Sequence, residues 1–167
     1  MTSAAVPADR VRRRTRYVHP GQLAVSAEPI ALSTILGSCV AVCLWDWRRG
    51  CGGMNHFLLA EQHARTSASP RYGDTALKML LDRLAAIGSE PADLQAKVFG
   101  GASVLAGLGA GAGRLGALNV ALAERLLQEH GIPVVAADVG GLTARRLVFQ
   151  TDDGAAWVRT VARSGDE

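Results

Sequence analysis

The sequence predicts a single-domain α+β fold in which mixed, largely antiparallel sheets are layered against two main helices. Its 167 residues suit one domain with a substantial core. Strand-like segments dominate both ends of the chain, and no internal repeat or interdomain linker separates them. The order strands, helix, strand, helix, strand, hairpin favours this arrangement over a doubly wound parallel sheet, in which strands and helices alternate throughout.

The first part of the folded region reads as β-strands. Branched and apolar residues form short runs, and turn residues such as Gly37-Ser38 and Arg48-Arg49-Gly50 separate them. The predicted strands are an extended lead-in at Tyr17–Ala27 and the runs Ile30–Leu36, Val40–Trp47 and Cys51–Leu59. A Gly-Gly pair in the last run permits close approach of another backbone.

Two amphipathic segments predict the helices. In Asp74–Ile87 the apolar residues recur at spacings of one, three and four, and Gly88 follows where a helix commonly ends. The second helix is predicted at Asn119–His130, with Asn119 as its N-cap and Gly131 closing it. The remaining predicted elements are strands at Leu94–Phe99 and Ile132–Ala137, a hairpin of Arg145–Gln150 with Ala156–Val161, and loops at 61–71 and 106–116.

The basic character of the chain is concentrated near its N-terminus. Residues 1–16 contain five arginines and one aspartate, whereas the rest has 13 basic and 14 acidic residues. A nucleic-acid-binding domain usually has a basic face within its fold, so this distribution argues against nucleic acid as a partner. We predict a disordered tail at 1–16, a folded domain at 17–162 and a C-terminal tail at 163–167. Contact of the arginines with an acidic partner or anionic lipid is the alternative.

Targeting signals are not evident in the sequence. No apolar run approaches the length of a membrane span, and the N-terminus lacks the apolar stretch of a secretory signal. We therefore expect a cytoplasmic protein without direct membrane insertion. The three cysteines all lie within residues 39–51, and in such a protein free thiols are expected rather than a disulfide framework.

Cys39 is the first candidate for chemistry. It follows Gly37 and Ser38, two small residues that leave space around the sulfur for a substrate. Backbone N–H groups of Ser38 and Cys39 could stabilise an oxyanion there. A free cysteine is more often an inert core residue, and the mid-strand Cys43 has that character. Cys51 lies in a turn, and the sequence leaves its role undecided.

His56 is the candidate base, because it lies on the strand that returns beside the cysteine strand. A thiol and an imidazole on neighbouring strands are the minimum for nucleophilic acyl chemistry. A buried histidine satisfied by the backbone is the alternative. Ser33 and Thr34 precede the cysteine by six and five residues, and either hydroxyl could orient the imidazole. Ordinary polar residues of a strand would look the same.

We predict neither a metal nor another cofactor. Four potential zinc ligands lie close in sequence: Cys39, Cys43, Cys51 and His56. The first two are four residues apart, which separates their positions on a strand by about 13 Å, whereas each zinc ligand lies about 2.3 Å from the metal. Gly100-Gly101-Ala102 lacks the lysine-containing phosphate-binding motif, and glycine matches within 107–116 carry little information.

The residues around this pair resemble a known family. The longest similar segments are Ser33-Thr34-Ile35-Leu36-Gly37-Ser38-Cys39-Val40-Ala41-Val42-Cys43-Leu44-Trp45-Asp46 and Gly52-Gly53-Met54-Asn55-His56-Phe57-Leu58-Leu59. They resemble the signature of CheD, the chemoreceptor glutamine deamidases. The similarity continues through Arg71–Asp74, Lys97–Ala102, Asn119-Val120, Gly131–Val134 and Asp138–Gly141, so that it spans about residues 17–162.

The resemblance implies an α/β/β layered fold and a cysteine hydrolase. Such an enzyme converts particular glutamine side chains of methyl-accepting chemotaxis receptors to glutamate, at the receptors' cytoplasmic domains and without a cofactor. The family's nucleophile falls on Cys39 and its base on His56. Its third catalytic residue, a threonine in the best-known members, falls on Ser33, with Thr34 next to it as the alternative. A complex with a CheC-type phosphatase is also implied.

Two departures from the family pattern concern binding more than chemistry. Leu118 precedes Asn119 where the family often has arginine, and Leu142-Thr143-Ala144 is less typical. Two other functional classes compete with the deamidase. One is a non-catalytic binding module that regulates a phosphatase and keeps Cys39 and His56 for packing. The other is a different thiol amidase or a transglutaminase-like enzyme.

Overall fold

The computed structural model describes residues 13–59, 69–104 and 114–162. Within these residues, nine strands and two α-helices form the fold. In chain order they are β1 (Thr15–Tyr17), β2 (Leu23–Ser26), β3 (Ala31–Leu36), β4 (Val40–Asp46), β5 (Cys51–Asn55), α1 (Gly73–Ala86), β6 (Leu94–Gly100), α2 (Arg114–Glu129), β7 (Val134–Val139), β8 (Arg145–Gln150) and β9 (Ala156–Thr160). The predicted α+β class with two main helices is confirmed.

The strands form two sheets. The larger sheet has the order β2-β5-β4-β6-β7, and the smaller sheet has the order β1-β3-β8-β9. Only two of the pairings, β1 with β3 and β6 with β7, are parallel. The others are antiparallel, so the sheets are mixed and largely antiparallel, as predicted.

The fold has three layers, because the helices cover one face of the larger sheet and the smaller sheet covers the other. Along β4, Val40, Val42 and Leu44 pack with leucines of both helices, whereas Ala41 and Cys43 pack with residues of the smaller sheet. Side chains alternate between faces along a strand, so one sequence run supplies both cores. The order is helices, larger sheet, smaller sheet, which confirms the α/β/β layering. Each fully buried aliphatic side chain contributes about 1.5–3 kcal/mol to this packing.

The N-terminal segment differs from the prediction. The predicted lead-in Tyr17–Ala27 is two strands in different sheets, because the chain turns at Gly21, whose φ is 79°. In addition, β1 begins at Thr15, inside the segment that we predicted as a tail. It is ordered there by parallel pairing with β3, in which Thr15 lies opposite Ala31.

Two boundaries near the site also differ. The strand that we predicted at Cys51–Leu59 ends at Asn55, because the Asn55 side chain accepts a hydrogen bond from the Val42 N–H. Helix α2 begins at Arg114, so the prediction of Asn119 as an N-cap was wrong. The extra turns of α2 can lie against the end of β6 because residue 116 is a glycine. A Cβ at this position would come within 2.4 Å of the Gly101 carbonyl oxygen.

Several predicted segments lie partly or wholly outside the described residues. These are most of the loops at 61–71 and 106–116 and the tails at 1–16 and 163–167. The end of the second loop, residues 114–116, is helical rather than irregular. Among the helices of the described ranges, none combines the length and apolar character needed to cross a membrane.

Candidate active site

The loop that carries Cys39 joins the two sheets, since it connects β3 of the smaller sheet to β4 of the larger one. Its three consecutive carbonyl oxygens all accept hydrogen bonds from other elements. The donors are the Ala102 N–H to Gly37 (2.9 Å), the Asn119 side-chain amide to Ser38 (3.0 Å) and the Gly101 N–H to Cys39 (2.8 Å). The backbone around the sulfur is therefore fixed from one side.

These anchors set the direction of the neighbouring N–H groups. In a trans peptide the C=O and N–H bonds point in opposite directions. Because the carbonyls of Gly37 and Ser38 point to their donors, the N–H groups of Ser38 and Cys39 point away from them. Gly100 supports this arrangement with a φ of 105°, and a Cβ there would lie 2.2 Å from the Cys39 carbonyl oxygen.

His56 lies directly after β5 and is fully buried. Strands β4 and β5 pair antiparallel, as predicted, and the bridge between Val40 and Phe57 continues their register. In this register Cys39 lies diagonally across from His56, a relation that usually places two Cα atoms about 7–8 Å apart. The imidazole therefore lies between the two sheets, on the same face as Cys39.

Thr34 of β3 holds the imidazole. Its Oγ1 lies 2.7 Å from the Val18 carbonyl oxygen and 2.8 Å from His56 Nδ1. A hydroxyl has one hydrogen to donate, and a carbonyl can only accept, so Thr34 donates to Val18 and accepts from Nδ1. This network assigns the hydrogen to Nδ1 and leaves the lone pair on Nε2. Nε2 is buried and has no hydrogen-bond partner among the described residues.

The structure places Ser33 elsewhere. Thr34 shares the inward face of β3 with Leu32 and Leu36, which belong to the core between the sheets. Ser33 is on the opposite face of the strand, together with Ile35, whose side chain is 43% exposed. The hydrogen bond to the imidazole therefore comes from Thr34, the predicted alternative, and not from Ser33.

Burial keeps both reactive groups uncharged. It lowers the pKa of His56 to about 4, an effect that the Val18 carbonyl opposes and that the nearby His19 reinforces. Burial also raises the pKa of the Cys39 thiol above its usual value, while the backbone N–H of the same residue acts in the opposite direction. Near neutral pH the site therefore contains a thiol and a neutral imidazole rather than an ion pair.

Among the residues that the structure describes, the other cysteines and histidines do not share this geometry. Cys43 packs between the sheets, where burial raises the pKa of its thiol, and Cys51 is buried beside the Ser89 hydroxyl at 3.4 Å. His19 and His130 are exposed. Across residues 13–59, 69–104 and 114–162, no group of three or more His, Cys, Asp and Glu side chains is arranged to hold a metal ion.

Asn119, predicted as an N-cap, lies within α2 and contacts the cysteine loop. Its amide donates to the carbonyls of both Ser38 and Leu58, and it is fully buried. The helical periodicity of the sequence indicates that Asn119 is buried, because it lies on the same face of α2 as the buried residues Leu122, Ala123 and Leu127. A polar residue on an apolar helix face needs a specific partner, but the late predicted start of the helix concealed the pattern.

Comparisons with known proteins give one consistent family. The family model described as CheD chemotactic sensory transduction matches residues 58–160, a range that begins two residues after His56. A protein of Anaeromyxobacter dehalogenans named probable chemoreceptor glutamine deamidase CheD 1 is 54% identical over 143 residues, which cover 86% of this chain and 82% of the relative. A continuous match of that length includes residues 39 and 56 from whichever end it starts.

Two further relatives bear similar names. The probable chemoreceptor glutamine deamidase CheD of Trichlorobacter lovleyi is 45% identical over 84% of this chain and 87% of its own length. The corresponding CheD 1 of a Ruegeria species is 42% identical over 92% of this chain and 82% of its own length. The similarity therefore extends over nearly the whole domain.

Proposed function

Because this chain belongs to the CheD family, we propose that it is an enzyme that hydrolyses the side-chain amide of glutamine residues on chemotaxis receptors, giving glutamate and ammonia. The names of its relatives state the same activity. One observation carries the mechanism. The Thr34–His56 hydrogen bond fixes the imidazole between the sheets and leaves its buried Nε2 without a hydrogen-bond partner among the described residues.

The first step forms the carbon–sulfur bond of a tetrahedral intermediate, and the thioester follows when ammonia leaves. His56 Nε2 takes the proton of the Cys39 thiol while the sulfur attacks the glutamine Cδ. Nε2 has no hydrogen-bond partner among the described residues, so we infer that the contact forms when the side chain of Cys39, which is only partly buried, rotates toward it. The negative charge then develops on the former amide oxygen, and the N–H groups of Ser38 and Cys39 are the proposed donors to it.

The second step releases the products. The imidazolium returns its proton to the amide nitrogen, the C–N bond breaks and ammonia leaves. Water then attacks the thioester with His56 again as the base, which regenerates the thiol and leaves glutamate. Every proton is carried by His56 or by water, so the proposed reaction needs neither a metal nor an organic cofactor.

The same proposal places the protein among other components of chemotaxis. Methyl-accepting receptors are its substrates, so it acts in the cytoplasm and is recruited to the receptors' cytoplasmic domains. We also propose a complex with a CheC-type phosphatase. The departures at Leu118 and at Leu142, whose side chains are 58% and 66% exposed, lie on surfaces where such partners could bind.

The direct test uses purified protein and a receptor cytoplasmic fragment. Peptide mass spectrometry is expected to find glutamine converted to glutamate at particular receptor positions, with release of ammonia. No conversion together with tight binding of a CheC-type phosphatase would identify a non-catalytic binding module instead. Conversion of small amides or amine incorporation without receptor deamidation would indicate another thiol amidase or a transglutaminase-like enzyme.

The third catalytic residue can be tested with a matched pair of variants. Thr34→Val removes the hydroxyl but keeps the shape, and it leaves His56 Nδ1 with only its longer contact, 3.4 Å, to the Val18 carbonyl oxygen. We expect kcat to fall about 100-fold, the usual effect of a misplaced catalytic group. The control Ser33→Ala changes the neighbouring hydroxyl on the opposite face, and its kcat is expected to stay within about threefold of wild type. Equal losses in the two variants would remove Thr34 from the mechanism.

The pH dependence should follow His56. Because its pKa is about 4, the imidazole is already unprotonated at pH 5.5 and remains so at pH 8. We therefore expect kcat/KM, measured from stopped reactions across this range, to change little and to fall only toward pH 4. A tenfold decrease per pH unit below about 6.5, the usual histidine range, would contradict the buried neutral base.

The pH dependence of folding stability provides a second measure of the lowered pKa of His56. Between pH 6.5 and about 4 the unfolded chain binds a proton at His56 that the folded chain excludes. The contribution of this residue to stability is therefore complete above pH 6.5 and is lost as the pH falls through that window. Thermal unfolding measured at several pH values checks the direction of this change.

A further inference from the structure

Asn119 connects the two halves of the active site. It lies within α2 and is fully buried, and its Nδ2 donates to the carbonyl oxygens of Ser38, at 3.0 Å, and Leu58, at 3.1 Å. Ser38 directly precedes Cys39, and Leu58 follows His56 by two residues. One side chain therefore holds the cysteine loop and the end of the histidine segment at a fixed separation.

The orientation of this amide is determined by its partners. Both partners are carbonyl oxygens, which accept hydrogen bonds and cannot donate them, so the NH₂ end must face them. Both hydrogens are used, one for each segment. An aspartate at this position would direct carboxylate oxygens at two carbonyls, and an alanine would leave both carbonyls without this donor.

The hydrogen bond to Ser38 also fixes a peptide plane. The Ser38 carbonyl and the Cys39 N–H belong to the same trans peptide and point in opposite directions. The carbonyl oxygens of Gly37 and Cys39 accept hydrogen bonds from backbone N–H groups. Among the described residues, the Ser38 carbonyl oxygen instead accepts from the Asn119 side chain. Without it, the Ser38–Cys39 peptide is free to rotate and to turn its N–H away from the substrate.

We propose that Asn119 is a positioning residue for deamidation, which holds the Ser38–Cys39 peptide so that the Cys39 N–H faces the reacting carbonyl oxygen. The inference rests on the proposed function, because an oxyanion forms only if an amide is attacked. It adds to Cys39, His56 and Thr34 a residue that does not touch the substrate but orients a backbone N–H group toward it.

The close packing of α2 makes this contact possible. A Cβ at Gly101 would lie 2.3 Å from the Val120 side chain, and one at Gly116 would lie 2.4 Å from the Gly101 carbonyl oxygen. Only a helix that approaches the end of β6 this closely brings Asn119 within hydrogen-bond distance of Ser38. The glycines therefore serve the position of Asn119 as well as the packing.

The experiment compares two reactions of Cys39 in the full chain. Deamidation of a receptor fragment requires the thiol, its base and an oxyanion donor, whereas alkylation by iodoacetamide requires the thiol and its base but no oxyanion donor. For Asn119→Ala we expect kcat for deamidation to fall about 100-fold with KM within about threefold, as for loss of one oxyanion donor. The alkylation rate should fall by less than about threefold. Asn119→Asp should show the same pattern.

A matched control separates this role from general stability of the helix. Leu127→Ala removes a fully buried side chain from the same helix, two turns beyond Asn119, without touching either carbonyl. Compared below its melting temperature, it should keep both rates near wild type. Wild-type kcat in Asn119→Ala, or equal losses of deamidation and alkylation, would overturn the proposal. Failure of both Asn119 variants to fold would assign the side chain to fold stability and overturn it as well.

The design also separates this inference from the proposed function. If wild-type protein deamidates and Asn119→Ala deamidates equally well, only the positioning role fails. If wild-type protein deamidates no receptor fragment while its Cys39 alkylates normally, the proposed function fails, and the positioning role falls with it.

Discussion

Replacement of Cys39 by alanine is expected to abolish the conversion of receptor glutamine to glutamate while leaving the fold intact. Without the sulfur no thioester can form, and loss of a catalytic nucleophile typically lowers kcat by roughly 10⁶-fold. The fold should tolerate the change, because Cys39 is only partly buried and its loop is held by carbonyl hydrogen bonds that do not involve the thiol. Peptide mass spectrometry of the receptor fragment and thermal unfolding measure the two expectations separately.

Cys43 provides the matched control for this variant. Its side chain is buried between the sheets, in β4, four residues after Cys39. Cys43→Ala should lower the free energy of unfolding by about 1 kcal/mol, a typical cost for a small core truncation, but keep kcat within about twofold of wild type. Retained conversion in Cys39→Ala, or equal loss in both variants, would refute the assignment of the nucleophile.

Replacement of His56 by asparagine is expected to lower kcat by about 10²–10⁴-fold, the usual contribution of a general base. Asparagine carries an amide nitrogen close to the place of Nδ1, so it can keep a hydrogen bond to Thr34 Oγ1 while it lacks Nε2. The variant thus removes the base with little change in the polar contact between the sheets. The rate of Cys39 alkylation near neutral pH should decrease too, because no imidazole remains to take the thiol proton.

His19 is the control for this second prediction. It is exposed, its ring packs edge-on against Tyr17, and it lies near enough to influence the pKa of His56. His19→Asn should leave kcat near wild type. If His56→Asn keeps more than about half of the wild-type kcat, the base must be a different group and the proposed mechanism is wrong.

The neutral state of the pair shapes how the mechanism operates. Burial disfavours both thiolate and imidazolium, so an ion pair does not form in the free protein. In the proposed mechanism, the thiol proton therefore moves only as the sulfur attacks, and the charge develops on the substrate oxygen beside the proposed N–H donors. Such a site leaves Cys39 less reactive toward incidental electrophiles than a preformed thiolate would be.

Local patterns predicted most of the elements but not the places where they meet. The apolar face of α1 and the run of branched and apolar residues in β4 were sufficient to predict the helix and the strand. The start of α2 was not predictable in the same way, because its first turns are rich in glycine and alanine and depend on the close approach of Gly116 to Gly101. The predicted lead-in Tyr17–Ala27 likewise could not be divided at Gly21 from the sequence, because its two strands join different sheets.

The α+β class, the pairing of the segments that contain Cys39 and His56 and the resemblance to a deamidase family can be read from the sequence, because they follow from periodicity and from short contiguous motifs. The contact of Thr34, rather than Ser33, with the imidazole and the position of Asn119 are visible only in the folded chain. The physical reason is the same for both. Strand alternation selects which hydroxyl faces the second sheet, and the packing of α2 selects which amide reaches Ser38. Each choice involves residues far apart in sequence, so no local pattern contains it.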